Sequence, residues 1–269
     1  MPFGLNRAKC GGRAMHTFLS GDVRIAFIDE PAAAGGRGEP ILLVHGFASS
    51  HAVNWVFPLW VKTLTGDGRR TIAHDNRGHG RSDKLYDPAR YHTRLMAQDC
   101  LRLLDHLNIE RADVMGYSMG ARISAFLALE HPDRVRSLVI GGLGLHLVDG
   151  VGLPVGIADA METERPDLLT DPQQKAFRAF ADATKSDRKA LAACIRGSRQ
   201  IMPPAEAAAI RAPTLICVGT KDDVAGDGHA LAALMTNARA VDIPGRDHNK
   251  AVGDKAYKQA ALEFLAARA

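Results

Sequence analysis

Between Val114 and Glu130 an apolar run enters Gly116-Tyr117-Ser118-Met119-Gly120 and continues, without a break, into the helical pattern Ile123-Ser124-Ala125-Phe126-Leu127-Ala128-Leu129-Glu130. Few arrangements satisfy that succession. Val114 and Met115 read as the end of a buried strand, so the pentapeptide must reverse the chain sharply enough for a helix to pack back on it. A turn that tight crowds the backbone two residues to either side of its apex, where Gly116 and Gly120 bring no Cβ. Its apex, Ser118, presents a hydroxyl at the top of a sheet, and the free N–H groups and positive dipole end of the next helix face the same point. An isolated Gly-x-Ser-x-Gly is a common surface turn. The flanking strand and helix patterns make this one specific.

The rest of the chain alternates in the same manner. Residues 15–19 and 23–29 form a hairpin-like pair, and residues 31–38 a Gly/Ala-rich loop. Short apolar runs at 41–45, 71–74, 112–116 and 135–141 read as strands covered on both faces. Helical patterns at 56–64, 91–107 and 119–131 separate them, which predicts a doubly wound, mostly parallel α/β sheet. The alternation breaks from His146 to Ile210, where only helix-compatible pieces occur (172–183, 187–201 and 204–210). It resumes with strands at 214–218 and 238–243 and helices at 228–235 and 254–267. The predicted organisation is a disordered leader (1–14), a catalytic domain in two segments (15–145 and 211–269) and an inserted helical cap (146–210).

Composition excludes several classes. Arg7, Lys9 and Arg13 stand in an acid-free leader and supply three of the four net positive charges, so the body is nearly neutral and nucleic acid is not the expected partner. No run is long and apolar enough to span a membrane, and the leader lacks the apolar core of a secretory signal. Cys10, Cys100, Cys194 and Cys217 show no metal-ligand spacing and suit free thiols in a cytoplasmic protein.

A serine nucleophile needs a base, and the base an orienting acid. Functional groups of open parallel sheets gather at the carboxyl ends of strands. After 214–218 comes Gly219-Thr220-Lys221-Asp222-Asp223, and after 238–243 comes Pro244-Gly245-Arg246-Asp247-His248. The expected triad is Ser118, Asp222 and His248; Asp222 is preferred to Asp223 because it stands nearer the strand end. Backbone N–H groups of Phe47, in His45-Gly46-Phe47, and of Met119 are the expected oxyanion donors. Among the other histidines, His79 and His45 are read as structural, His51, His92, His131 and His229 as solvated, and His146 as a possible substrate contact. Arg122 and Arg196 are weighed as carboxylate clamps and read as solvated, and Met161, Phe177 and Phe180 as pocket lining.

Together, His45-Gly46-Phe47, Asp75-x-Arg77-Gly78-x-Gly80-x-Ser82, the Ser118 turn, Gly219-x-x-Asp222 and the late His248 resemble the α/β-hydrolase fold family. The resemblance implies a serine hydrolase that cleaves a small-molecule carboxylic ester through an acyl-enzyme, with no metal or organic cofactor. A serine at the turn disfavours the family's dehalogenases and epoxide hydrolases, which carry Asp there. The alternatives it leaves are a carbon–carbon or enol-lactone hydrolase of aromatic-degradation products and a hydrolase-fold receptor for a small molecule.

Overall fold

The computed structural model describes residues 8–10, 13–36, 38–150, 153–154 and 156–267. Its strands in chain order are β1 (Ala8–Cys10), β2 (Arg13–Ser20), β3 (Val23–Glu30), β4 (Glu39–Val44), β5 (Arg69–His74), β6 (Ala112–Tyr117), β7 (Val135–Gly141), β8 (Thr214–Gly219) and β9 (Ala238–Ile243). Its helices are α1 (Trp60–Gly66), α2 (Thr93–His106), α3 (Met119–Glu130), α4 (Gly156–Glu162), α5 (Pro172–Ala183), α6 (Arg188–Gly197), α7 (Pro204–Ala208), α8 (Gly228–Leu234), α9 (His248–Ala251) and α10 (Lys255–Ala267).

The strands join in the order β1-β2-β3-β5-β4-β6-β7-β8-β9. β1, β2, β3 and β5 pair antiparallel in succession, and every pairing from β5 through β4 to β9 is parallel. Side-chain alternation divides the apolar residues between two cores. Leu42, Val44, Val114, Leu138, Ile140 and Ile216 face α2 and α3 on one side. Ile41, Leu43, Met115, Val139, Leu215 and Cys217 face α1 and α10 on the other. Burial of both faces explains why these strands read as unbroken apolar runs, each buried large aliphatic contributing about 1.5–3 kcal/mol.

Several expectations shift. Ala8–Cys10 pairs with Arg13–Met15, so part of the segment read as a disordered leader is strand; residues 1–7 and 11–12 lie outside the described residues. The helix expected at 56–64 begins only at Trp60. Before it, Ala52–Val56 makes one π-helical turn, closed by Phe57 N–H to Ala52 O at 2.9 Å. Pro58, which has no N–H to extend a helix, follows directly, and Leu59 takes φ +68°. α4 was not expected. It is only seven residues long, with Ile157, Ala158, Ala160 and Met161 buried, too short for a helical period to stand out.

α4 to α7 lie between β7 and β8 along the chain; α4 packs against both α5 and α6, and α7 against α3 and α8. Among the described residues no helix is long and apolar enough to cross a membrane.

Candidate active site

The turn after β6 has the predicted form. Ser118 sits at φ +55°, ψ −117°, a conformation costing a non-glycine residue about 1–3 kcal/mol, and its N–H donates to Gly141 O at 2.8 Å. A Cβ on Gly116 would lie 2.3 Å from Gly120 O, and one on Gly120 2.0 Å from Val44 O. Helix α3 therefore seats directly on β4 and β6 only because both positions lack side chains. That packing supplies the rigidity that maintains the strained apex.

Three loops at the same end of the sheet then converge. The β9–α9 loop delivers His248 to the first position of α9, whose start Asp247 caps by accepting from Lys250 N at 2.9 Å. His248 Nε2 lies 3.0 Å from Ser118 Oγ, and His248 Nδ1 lies 2.8 Å from Asp222 Oδ2. An ionised carboxylate only accepts, so Nδ1 carries the proton and Nε2 is left to accept from the serine hydroxyl. Asp222 is itself held: its Oδ1 accepts from Val224 N at 2.9 Å and Ala225 N at 3.0 Å, and its side chain is fully shielded from solvent. Asp223 is exposed. The structure thus joins Ser118, His248 and Asp222, and leaves Asp223 outside the group.

Phe47 and Met119 flank Ser118 in the wall of the same cavity. The loop bearing Phe47 comes close to Ser118, since a Cβ on Gly46 would stand 3.4 Å from Ser118 Cβ. A buried polar network holds this loop. Gly46 N–H donates to Asn54 Oδ1 at 3.0 Å. His45 donates from Nδ1 to Gly46 O at 2.7 Å, and its Nε2 accepts from Asn76 N at 2.9 Å. His51 donates both N–H and Nδ1 to Asp75 Oδ1, each at 2.8 Å. Burial keeps His45 well below the ordinary histidine range and lowers His79 to about 4, so both rings are neutral at pH 7. Burial opposes the charge on Asp75, but His51 and the Arg81 N–H outweigh it and hold the carboxyl below its usual value.

His45 and His79 therefore have the structural places expected. His51 does not: it is buried and paired with Asp75, because the chain folds that residue inward onto the turn after β5. His146 donates from Nδ1 to Val224 O, in the loop after β8, at 2.7 Å. Nor are the two arginines solvated alike. Arg122 is largely buried; its Nη1 donates to Leu147 O and Gln200 O at 3.1 and 2.8 Å, and its Nη2 to His146 O at 2.5 Å. Burial lowers it to about 10, so it stays charged. Arg196 pairs at the surface with Glu162 and Asp159, away from Ser118. Phe177 and Phe180 line a cleft beside Ser118, whereas Met161 is fully buried.

Among the described residues no cluster of three or more His, Cys, Asp or Glu is placed to hold a metal ion.

The family described as the alpha/beta hydrolase fold matches residues 39–174, about half of the chain, which places β4 to β7 and the Ser118 turn within it. The chain belongs to the α/β-hydrolase fold family. It is similar to the 2-hydroxymuconate semialdehyde hydrolase of Pseudomonas sp. (strain CF600), 36% identical over 120 residues that cover 45% of this chain and 40% of the relative. It is also similar to the dihydrolipoyllysine-residue acetyltransferase component of the acetoin cleaving system of Pseudomonas putida, 29% identical over 239 residues, 83% of this chain and 59% of the relative. The chain thus matches only about half the length of these curated relatives. The solved enol-lactonase from Burkholderia xenovorans LB400 shares the fold with a TM-score of 0.77 at 22% identity, over 93% of this chain and 99% of that one.

Proposed function

We propose that the protein is a serine hydrolase of small carboxylic esters. The observation that carries this reading is the unbroken relay from Ser118 Oγ through His248 to Asp222, at 3.0 and 2.8 Å. In this reading Ser118 Oγ forms a bond to the acyl carbon while His248 Nε2 takes its proton. The same proton passes to the alcohol oxygen as the carbon–oxygen bond breaks. Water, giving its proton to His248, then releases the acid and restores Ser118. Asp222 holds the Nδ1–H tautomer and offsets the imidazolium charge. The Phe47 and Met119 amides bind the oxyanion, and α4 to α7 (residues 146–210) act as a cap over the catalytic domain.

Carbon–carbon hydrolysis is the second reading, favoured by the similarity to the semialdehyde hydrolase and by Arg122 and Arg199 in the wall beside Ser118. Three of the five Arg122 N–H donors are already taken by backbone carbonyls, so a carboxylate clamp would have to use the remaining two or Arg199.

Ser118→Ala should lower kcat on the best ester by on the order of 10⁶, and a fluorophosphonate probe should label Ser118 alone. Labelling of another serine, or turnover of dienone acids with none of esters, would overturn the reading.

A further inference from the structure

Ser118 stands at the meeting point of two cavities that differ in size and chemistry. One, of about 70 Å³, lies between α3, the end of β7 and α6, with Met119, Leu143, Ile195 and Val224 in its wall together with Arg122 and Arg199. The other, of about 440 Å³, opens between the Phe47 loop, α5 and α9, and has Phe177, Phe180, Pro58 and Val252 in its wall. Phe47 and Ser118 belong to both, but His248 lines only the larger.

That asymmetry decides which half of an ester goes where. The proton taken from Ser118 Oγ must leave His248 Nε2 for the oxygen of the departing alcohol, so the alcohol has to lie on the side where the imidazole is exposed. With the carbonyl oxygen turned to the Phe47 and Met119 amides, the remaining substituent on the acyl carbon points away from His248, into the smaller cavity. We infer that the small cavity is the acyl site and the large cleft the alcohol site, so the substrates are esters of a short acid with a bulky apolar or aromatic alcohol. The inference rests on Ser118 forming an acyl-enzyme. At about 10–15 Å³ for each water-sized group, 70 Å³ admits about five non-hydrogen atoms beyond the carbonyl. The aromatic pair Phe47 and Phe177, with centroids 6.0 Å apart, offers apolar ring faces to the alcohol.

The test is kcat/KM for two series on the full chain: 4-nitrophenyl acetate, butyrate, octanoate and dodecanoate, and acetates of methanol, hexanol and 2-naphthol. A drop of at least about tenfold from butyrate to octanoate is expected, since a single methylene that a pocket cannot hold costs about that much. Ile195→Ala and Val224→Ala should each raise the octanoate-to-butyrate ratio by about tenfold. Ile195 is buried and Val224 only partly so, which keeps one variant usable if the other fails to fold. Phe180→Ala should leave that ratio in place and lower the naphthyl-to-methyl ratio. Ratios that respond the other way, with Phe180 governing acyl length, would overturn the assignment. The same chain-length ratios can be read without turnover, from the rates at which 4-nitrophenyl alkylphosphonates modify Ser118. Failure of every ester and every phosphonate to react at Ser118 would instead defeat the hydrolase reading itself.

Discussion

The Tyr117 hydroxyl donates to the main-chain carbonyl of His248 at 2.6 Å, so the residue just before Ser118 holds the backbone of His248. The two rings are tilted neighbours, 5.5 Å between centroids. Burial pushes the phenol well above its usual pKa, which keeps it a donor throughout the working pH range. Tyr117→Phe retains the ring and removes this one bond. kcat should fall by roughly two- to tenfold, the scale of one neutral hydrogen bond, with KM little changed. Steady-state kinetics with circular dichroism would check it; an unchanged kcat in a folded variant would remove Tyr117 from any positioning role.

Asp222 and Asp223 are neighbours with opposite environments, one shielded and bonded to His248, the other exposed. Asp222→Asn should cost about 10⁴ in kcat by favouring the wrong imidazole tautomer, while Asp223→Asn should stay within about tenfold of the parent. The reverse ranking in kinetic assays would contradict the geometry.

Burial lowers His45, His74 and His79 below the ordinary histidine range, His79 to about 4. The unfolded chain then binds protons, below about pH 6.5, that the folded chain refuses, so stability is fullest above that pH and declines as the pH falls toward 4. His79 contributes a slope of about 1.4 kcal/mol per pH unit across that window, and His45 and His74 act in the same direction. Urea unfolding at pH 7 and pH 5 would measure it, and equal stabilities would show that these rings are protonated in the fold.

Gly120 has no space for a side chain, its ideal Cβ falling 2.0 Å from Val44 O. Gly120→Ala must push α3 off β4, a backbone displacement that should cost about 1–3 kcal/mol or more and depress Tm by several degrees. A Tm within a degree of the parent would mean that α3 can shift freely.

Much of this architecture was legible in the chain because it depends on local pattern. Apolar runs marked the strands, and the succession of strand, Gly116 to Gly120 and helix located the sharp turn with Ser118 at its apex. Placing Asp222 and His248 needed only the rule that strand ends converge. What escaped depends on partners remote in sequence. His51 looks like a polar loop residue until Asp75, on another strand's end, is beside it. Arg122 looks like a surface cation until the carbonyls of His146, Leu147 and Gln200 close around it. The delayed start of α1 was signalled by Pro58, but the left-handed Leu59 and the π-helical turn before it have no simple sequence mark.

β7 and β8 are adjacent, with Gly141 opposite Cys217, although the whole helical excursion separates them along the chain. That single parallel seam brings Asp222 and His248 to Ser118. Its closure must span residues 142–213, an entropic cost met only once long-range contacts form. Refolding therefore offers a built-in clock: secondary structure and collapse can precede the seam, but serine reactivity cannot. The time course of probe labelling during renaturation would report when the two halves of the sheet meet.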